Sequence, residues 1–370
     1  MRRALRSVAL ALACGVMLQR GLAESEFIFP PGPQSQRDHH ASTVVELKNG
    51  DVLSAWFAGS KEGAPDVAIW SARLSHGVWS APMVVAQKQG VACWNPVLFH
   101  THDGRLWLYY KFGTHPSTWV GARRWSDDEG RTWSAEQLLP EGILGPIRAK
   151  PLLLPGSVVL SGSSVERAGE WRAWIERSTD DGRSFNKIGP ITVPDALDVP
   201  DDGARAAAER DRTADDGATK HYPPAASTIG IIQPVLVALG PHHIRLYARS
   251  HTRAARIAVA DSEDDGQSWT QAHYLDLPNP NSGIDALRLA DGRVVLLFNN
   301  SYDTRTPLVL AVSRDGEHFH IFATVEDGPG QYSYPALVQA QNGDLLMTYT
   351  YRRETIKYVR LPLAQVPEPK

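Results

Sequence analysis

Cysteine and long apolar runs are scarce in this chain, and it has no excess of positive charge. Each of these features excludes a class of protein. Only Cys14 and Cys93 occur in the 370 residues, and Cys14 lies in a segment expected to be removed, so no internal disulfide is expected. Beyond that segment no apolar run approaches the roughly 18 residues that a membrane helix needs, so we expect no membrane span. The formal charge of -3 argues against a nucleic-acid partner.

Residues 1–23 have the layout of a signal peptide for export. A basic start is followed by an apolar run from Val8 to Leu18 and by small residues before a cut after Ala23. Cleavage would remove four arginines and no acid, which moves the formal charge from -3 to -7. We expect a periplasmic or extracellular protein; lipoprotein processing at Cys14 is the alternative.

One short acidic motif occurs four times. It reads SDDEGRTW at Ser126–Trp133, STDDGRSF at Ser178–Phe185, SEDDGQSW at Ser262–Trp269 and, shortened, SRDGEHF at Ser313–Phe319. A repeat at such long intervals indicates stacked supersecondary units. In each copy the central aspartate can accept backbone N–H bonds of a turn, so we interpret these acids as structural and not catalytic.

A second periodicity gives the number of units. Pairs of apolar strands around glycine-containing turns predict hairpins. Six such pairs begin near Ala41, Asn95, Lys150, Gln233, Asp285 and Tyr334, at intervals of 54, 55, 83, 52 and 49 residues. The pattern predicts an all-β fold, a six-bladed β-propeller that occupies residues 24–370 as one domain.

The single long interval contains a biased segment. Residues 194–224 are rich in Ala, Asp and Gly and have almost no large apolar side chain. Such a composition buries too little surface to offset the entropy of ordering, so a mobile insertion is predicted. The segment is also a candidate lid over a site.

The four motifs resemble the Asp boxes of the sialidase (neuraminidase) superfamily. The stretches HHAST, PDVAIW, GPIRAKP, NPNSGIDA and QYSYPAL are similar to its BNR-repeat branch, and the resemblance covers residues 27–360. It implies an exported exo-acting glycosidase that acts on a terminal acidic sugar of a glycan. Asp boxes support the fold strongly but carry little information about sialic acid, because propellers of varied function share them.

The resemblance also implies roles for individual residues. Arg249 and Arg305 match the second and third arginines that hold the substrate carboxylate, a group that guanidinium binds in a bidentate manner. Tyr332 matches the tyrosine nucleophile, with Tyr334 as its competitor, and a tyrosine is a known exception to the two-carboxylate rule of glycosidases.

A loop after the first hairpin corresponds to the family's acid/base. Asp66 stands at the position of that aspartate, and Glu62 lies in the same loop. A carboxylic acid here could protonate a leaving oxygen if burial raised its pKa.

Two positions depart from the family pattern. His40 replaces the first arginine, so the triad is incomplete unless Arg37 or Arg148 reaches the site. Gln233 stands where a glutamate should activate the tyrosine, and a neutral amide cannot accept the phenol proton.

Several polar residues at strand ends are further candidates for a substrate-binding funnel. Substitutes for the activating glutamate are Glu166, Asp285 and His40, and additional cations are Arg148 and Lys150. A uronic-acid hydrolase or lyase, in which His40 or Tyr332 moves the proton, accommodates both departures. A non-catalytic glycan-binding propeller is the third alternative.

Cofactor and metal motifs are absent from the sequence. The pairs His39-His40 and His242-His243 place neighbouring side chains on opposite sides of a strand. No phosphate-binding loop or nucleophile elbow occurs either, so we expect no cofactor and no metal.

Overall fold

The computed structural model describes residues 24–32, 37–194, 219–222 and 227–369. The predicted signal peptide, 1–23, lies outside these residues. So does the predicted mobile insertion at 194–224, apart from Pro194 and residues 219–222. Within the described ranges, no helix is long and apolar enough to cross a membrane.

The protein is an all-β propeller, as predicted; its described strands form five sheets, one of which has eight strands and combines two blades. The strands of blades 1 to 3 are β2 (Asp38–Glu46), β3 (Val52–Gly59), β4 (Ala68–Ser75), β5 (Val78–Trp79) and β6 (Met83–Ala86); β7 (Cys93–His100), β8 (Leu106–Phe112), β9 (Val120–Ser126) and β10 (Gln137–Leu138); and β11 (Leu152–Leu154), β12 (Val158–Arg167), β13 (Glu170–Ser178) and β14 (Asn186–Ile191). The strands of blades 4 to 6 are β15 (Gly230–Ala238), β16 (Ile244–His251), β17 (Arg256–Ser262) and β18 (His273–Pro278); β19 (Asp285–Arg288), β20 (Val294–Asn299), β21 (Leu308–Ser313) and β22 (His320–Glu326); and β23 (Tyr332–Gln339), β24 (Leu345–Tyr351), β25 (Thr355–Leu361) and β1 (Glu24–Phe27). Short 3-10 turns occur at Pro116–Thr118 and Leu363–Gln365.

The ring is closed by the two ends of the described chain. Strand β1 is the outer strand of blade 6 and pairs antiparallel with β25, with Glu24 opposite Arg360 and Phe27 opposite Lys357. The blade that ends the sequence is thus completed by the strand that precedes blade 1. Blades 3 and 4 are additionally joined by one parallel pair, Trp171 with Gly230.

Six hydrophobic clusters lie between neighbouring blades, one at each junction around the ring. The cluster between blades 6 and 1 packs Trp56 against Tyr358, and that between blades 5 and 6 packs Leu297 against Met347. Each blade buries both faces in this way, which explains why its inner strands read as nearly continuous apolar runs. The core is a ring of six inter-blade layers.

The Asp boxes fasten the turn between the third and fourth strands of a blade. In the first copy the Ser126 hydroxyl donates to Asp128 Oδ1 at 2.7 Å, and Thr132 N donates to the same oxygen at 2.8 Å. Gly130 has φ +82, a left-handed conformation that glycine adopts without strain. The predicted structural role of these aspartates is confirmed.

The same turns also join neighbouring blades. Arginines from four blades donate to a backbone carbonyl in the Asp box of the following blade. The pairs are Arg73 with Glu129, Arg123 with Gly182, Arg177 with Asp265, and Arg245 with Gly316. Each of these boxes therefore fixes a turn within its blade and receives a cation from the preceding one.

Four inner strands carry the same backbone irregularity near their first residues. In β2, β7, β15 and β23 two residues face one on the partner strand, and the first of the two has a left-handed φ. These residues are Ala41 (φ 54), Asn95 (φ 40), Gln233 (φ 55) and Tyr334 (φ 52). Such β-bulges re-aim a side chain and are common beside functional sites.

Candidate functional site

Tyr334 occupies the centre of a cluster of cations at the mouth of the inner strands. Its ring centroid lies 4.2 Å from that of His40 and 5.5, 5.7 and 5.8 Å from the guanidinium carbons of Arg249, Arg305 and Arg148. Arg249 also donates a hydrogen bond to the Tyr334 hydroxyl. A left-handed φ is an outlier for a bulky aromatic residue, and such strain often marks a functional position.

Arg148 supports Tyr334 from below. Its guanidinium donates to the carbonyl of Pro335 at 2.7 Å and to that of Ile284, so it ties the bulge of blade 6 to blade 5. A Cβ at Gly283 would meet Arg148 Nε at 3.2 Å, which shows how closely the backbone approaches. Arg148 was expected to bind substrate; in the structure Nη1 and Nη2 donate to main-chain carbonyls, and its buried Nε has no hydrogen-bond partner among the described residues.

Asn281 joins the two arginines that match the family's triad. Its Oδ1 accepts hydrogen bonds from Arg249 Nε at 3.0 Å and Nη2 at 2.6 Å, and its backbone oxygen accepts one from Arg305 Nη2 at 3.0 Å. One residue between blades 4 and 5 therefore sets the positions of both guanidinium groups. Arg249 and Arg305, which were both expected at the substrate carboxylate, lie beside each other in the structure.

Arg305 is only 5% exposed, yet its Nε has no hydrogen-bond partner among the described residues. Burial lowers the pKa of its guanidinium from the usual value. The ring of Tyr222 lies 4.1 Å from the guanidinium carbon and covers one of its faces. A buried cation with an unused donor is a natural partner for an anion.

His40 is a neutral member of the cluster. Burial lowers its pKa well below the usual value, and four nearby arginines add to this shift. They are, in order of effect, Arg353, Arg305, Arg249 and Arg148. His40 Nδ1 shares a hydrogen bond with Thr350 Oγ1 at 2.9 Å. It occupies the expected place of the first arginine without adding a charge.

Gln233 lies between Arg249 and Glu166. Its side-chain oxygen accepts from Arg249 Nη1 at 3.1 Å, and its Nε2 donates to Glu166 Oε1 at 3.3 Å. Burial raises the pKa of Glu166. Glu166 is thus linked to Tyr334 through two intervening side chains, and the structure shows no direct contact between this acid and the phenol.

Glu62 reaches the rim of the cluster through Arg353. Its Oε2 lies 2.8 Å from Arg353 Nη1, and its backbone N–H donates to Asp38 Oδ2 at 3.1 Å. Arg353 has φ 63, a second bulky residue in a left-handed conformation at this end of the propeller. The loop that carries Glu62 packs Gly63 against Trp94.

Asp66 is placed differently from Glu62. It is exposed, and both of its oxygens accept hydrogen bonds from Ser60, one from the hydroxyl at 2.8 Å and one from the backbone at 2.9 Å. These bonds lower the pKa of the carboxyl. An ionised, locally bonded carboxylate is a poor proton donor.

Tyr332 lies away from the arginine cluster. Its side chain is 2% exposed in the apolar layer between blades 5 and 6, and its hydroxyl donates to the Pro329 carbonyl at 3.1 Å. Its ring packs against Tyr351. Residues 332 and 334 would share a face in a regular strand, but the bulge at Tyr334 separates them.

Lys150 and Asp285 form a bridge between inner strands. Lys150 Nζ lies 2.8 Å from Asp285 Oδ1, and Asp285 Oδ2 accepts from the backbone N–H of Leu337 at 2.7 Å. The pair ties blades 3, 5 and 6 together. Both residues were expected at the substrate, and here their polar atoms are engaged in cross-links.

Arg37 does not supply the missing arginine. It is exposed, and its guanidinium stacks 4.8 Å from the ring of Trp70. Across the part of the chain that the structure describes, no group of three or more His, Cys, Asp or Glu side chains is placed to hold a metal ion.

The fold and the repeated turns are similar to those of known proteins. The family model described as a BNR repeat-like domain matches residues 50–347. This chain belongs to that family. A comparison with curated protein sequences finds no match.

Solved structures with the same fold include sialidases. An unknown-function protein from Dyadobacter fermentans is 15% identical, with a TM-score of 0.69, and the match covers 92% of this chain and 98% of that one. The NanB sialidase of Streptococcus pneumoniae is 15% identical, with a TM-score of 0.65 and coverages of 92% and 71%. The leech intramolecular trans-sialidase is 13% identical, with a TM-score of 0.62 and coverages of 93% and 71%. This chain therefore has a sialidase-like propeller fold.

Four residues at the site were not among the main candidates that the sequence suggested. They are Tyr334, Asn281, Arg353 and Tyr222. A usable signal existed for the first, because Tyr334-Pro335 repeats the dipeptides Asn95-Pro96 and Gln233-Pro234 at equivalent places. Proline inside a strand indicates an edge or a bulge, and these inner strands carry bulges. For Asn281 and Arg353 the only sequence signal was a position near a strand end. Tyr222 lay within the predicted insertion.

Proposed function

We propose that this BNR-family propeller is an exported exo-acting glycosidase that releases a terminal acidic sugar from a glycan. One observation carries the proposal: the strained Tyr334 lies beside neutral His40 and within 5.8 Å of the guanidinium carbons of three arginines. Cations around a phenol stabilise both an anionic substrate and negative charge that develops on the phenol oxygen. Export is proposed from the signal-like residues 1–23.

Arg249 and Arg305 are the proposed carboxylate ligands. Both are held by Asn281, and Arg305 has a buried nitrogen that no described residue bonds. A carboxylate that bound both would replace missing hydrogen bonds and offset the cost of keeping the cations out of water. Arg148, whose Nη1 and Nη2 donate to main-chain carbonyls, contributes charge and supports Tyr334.

Tyr334, in place of Tyr332, is the proposed nucleophile. Its oxygen would attack the anomeric carbon while the bond from that carbon to the leaving glycan oxygen breaks. The phenol proton would pass to neutral His40, whose ring centroid lies 4.2 Å from that of Tyr334, and would return to the phenol oxygen in the second step. A neutral phenol is a better nucleophile toward an anionic sugar than a carboxylate, which the sugar would repel. Water would then cleave the Tyr334–sugar bond and return the phenol.

Glu62 is the proposed acid/base, in preference to Asp66. Its contact with Arg353 places it at the arginine cluster, whereas Asp66 is exposed and both of its oxygens are bonded to Ser60. In the first step Glu62, protonated once bound substrate separates it from Arg353, would donate its proton to the leaving oxygen. In the second it would take a proton from the attacking water.

Covalent trapping tests the proposed nucleophile directly. The protein is incubated with 2,3-difluorosialic acid, and the labelled peptide is mapped by mass spectrometry. The expected label is on Tyr334, with hydrolysis of an aryl α-sialoside abolished in Tyr334→Phe and retained in Tyr332→Phe. Tyr332→Phe is the matched control, because it removes a hydroxyl two residues away. A label on Tyr332, or full activity of Tyr334→Phe, contradicts the assignment.

A uronic-acid hydrolase or lyase is the second candidate. It is favoured by the position of Glu166, which the structure connects to Tyr334 only through Gln233 and Arg249. In a lyase, a base removes the proton beside the carboxylate, a carbon–carbon double bond forms, and the glycosidic oxygen leaves. A panel of uronic-acid glycans separates the candidates, since elimination yields an unsaturated, ultraviolet-absorbing sugar and hydrolysis does not. Ligand-dependent thermal stabilisation without any product would indicate a binding protein.

A further inference from the structure

Residues 219–222 dock on two loops of the arginine site. His221 pairs with Thr304 in an antiparallel bridge, and its Nδ1 lies 3.1 Å from Asp303 Oδ2. Thr219 Oγ1 accepts a hydrogen bond from Gly330 N at 3.0 Å. These four residues are therefore attached at both ends to the segments that flank Arg305 and precede β23.

Tyr222 has the most extensive contacts of this segment. Its backbone N–H donates to the Asp303 carbonyl, and its hydroxyl donates to Gln331 Oε1 at 3.1 Å. The backbone bond anchors the residue, and the centroid of its ring lies 4.1 Å from the guanidinium carbon of Arg305. A guanidinium stacked on an aromatic face is attracted by the ring quadrupole, and more strongly where water is excluded.

The orientation of Arg305 follows from two contacts. Nη2 is bonded to the Asn281 carbonyl, and one face is covered by Tyr222. Together these contacts fix the plane of the guanidinium and keep water from that face. The Arg305 Nε, which no described residue bonds, remains for a carboxylate, a group that guanidinium binds in a bidentate manner.

We propose that Tyr222 is a positioning residue that fixes the Arg305 guanidinium for binding of a sugar carboxylate. The inference rests on the proposed function, since it concerns the same carboxylate site. It assigns a role in ligand binding to a residue within the long connection between blades 3 and 4. The role requires an aromatic ring and not the Tyr222 hydroxyl.

Four variants separate the ring from the rest of the segment. Tyr222→Leu removes the aromatic face, Tyr222→Phe keeps it, and His221→Ala removes the side-chain contact with Asp303 while keeping the Tyr222 ring. Tyr222→Met provides a second non-aromatic side chain. Binding of N-acetylneuraminic acid and of glucuronic acid is measured by titration calorimetry on the full chain. In parallel, modification of Arg305 by phenylglyoxal is followed by peptide mass spectrometry without ligand.

The expected result is a dissociation constant about 5- to 30-fold higher in Tyr222→Leu and Tyr222→Met for the probe that the wild type binds. Tyr222→Phe and His221→Ala should stay within about twofold of the wild type. Arg305 should be modified faster in the two non-aromatic variants only. Any activity should show a raised KM with kcat little changed, because the ring acts on binding.

Two different failures are distinguishable. If the wild type binds one probe and Tyr222→Leu binds it equally well, the positioning role is overturned while the carboxylate site stands. Equal rates of Arg305 modification in the wild type and Tyr222→Leu also overturn it. If the wild type binds neither probe, the proposed carboxylate site fails, and the role of Tyr222 fails with it.

Discussion

At the scale of single residues, buried cations donate hydrogen bonds to backbone carbonyls of the bulged inner strands. Arg148 donates to the Pro335 carbonyl, next to Tyr334, and Lys111 Nζ lies 3.4 Å from the Asn95 carbonyl in blade 2. Burial lowers the pKa of Lys111 to about 7. The same backbone irregularity thus recurs around the ring, and the side chain at the bulge decides what each blade contributes to the site.

Replacement of Arg148 by Met should harm both folding and the site. The change leaves the buried carbonyls of Pro335 and Ile284 without their donor, which costs about 2–4 kcal/mol of unfolding free energy. The bulge at Tyr334 would also relax, so ligand affinity should fall. Equilibrium denaturation and calorimetry measure the two effects.

Arg37→Met is the matched control for Arg148→Met. Arg37 is an exposed arginine stacked on Trp70, so its loss should change the unfolding free energy by less than about 0.5 kcal/mol. If Arg148→Met were as stable as this control and bound ligand normally, the supporting role of Arg148 would be wrong.

At the scale of structural elements, the Asp boxes link two levels of packing. Each of four boxes accepts an arginine from the preceding blade, so the turns connect the blades as well as the strands inside them. In the third box the Asp264 carboxylate accepts bonds from the hydroxyl and the backbone N–H of Ser268, which lower its pKa to about 2. The stability of these turns should therefore decrease when the carboxylates are protonated at low pH.

Asp264→Ala should remove part of the protein's acid sensitivity. Because the pKa of Asp264 is lower in the folded state than in the unfolded chain, its contribution is present above about pH 4. That contribution is lost as the pH falls toward about 2. The wild type should lose its stability advantage over Asp264→Ala in this window, as followed by thermal unfolding across pH.

The exposed neighbour Glu263 provides the comparison for Asp264. Its side chain is 73% exposed and lies outside the hydrogen bonds of the box. The stability gap between Glu263→Ala and the wild type should be small at every pH. A gap between Asp264→Ala and the wild type that does not narrow below pH 4 would contradict the proposed origin of the acid sensitivity.

The elements themselves were largely predictable from sequence, because turn residues and apolar runs are local signals. Five of the six predicted starts, such as Ala41 in β2 and Gln233 in β15, fall inside inner strands, and Lys150 precedes β11 by two residues. The side chains at the site were less predictable. Strand alternation gives no warning that a bulge separates Tyr332 from Tyr334, and the partners of Arg148 and Asp285 come from other blades.

At the scale of the whole molecule, the closed ring concentrates positive charge in an acidic protein. The chain has a formal charge of -3, yet Arg148, Arg249, Arg305 and Arg353 all act on His40. Only a closed ring brings residues from blades 1, 3, 4, 5 and 6 to one place. The site therefore depends on closure of the ring, in which β1 pairs with β25 to complete blade 6 beside blade 1. Sequence periodicity does not reveal this pairing because β1 lies far from β25 in the chain.

Deletion of Glu24–Phe27 should weaken the seam and, through it, the site. Strand β1 supplies the outer ladder of blade 6, and Phe27 packs at 5.0 Å against Tyr351, the neighbour of Arg352 in the turn that carries Arg353. Loss of these contacts should cost about 2–4 kcal/mol of unfolding free energy. Phe27→Ala, which keeps the backbone ladder, should lose less than the deletion. Thermal unfolding and ligand titration would measure both variants. Melting temperature and ligand affinity should be highest in the wild type, lower in Phe27→Ala and lowest in the deletion variant. An unchanged melting temperature in the deletion variant would mean that the ring stays closed without β1, and that the seam is held by the apolar layer between blades 6 and 1 alone.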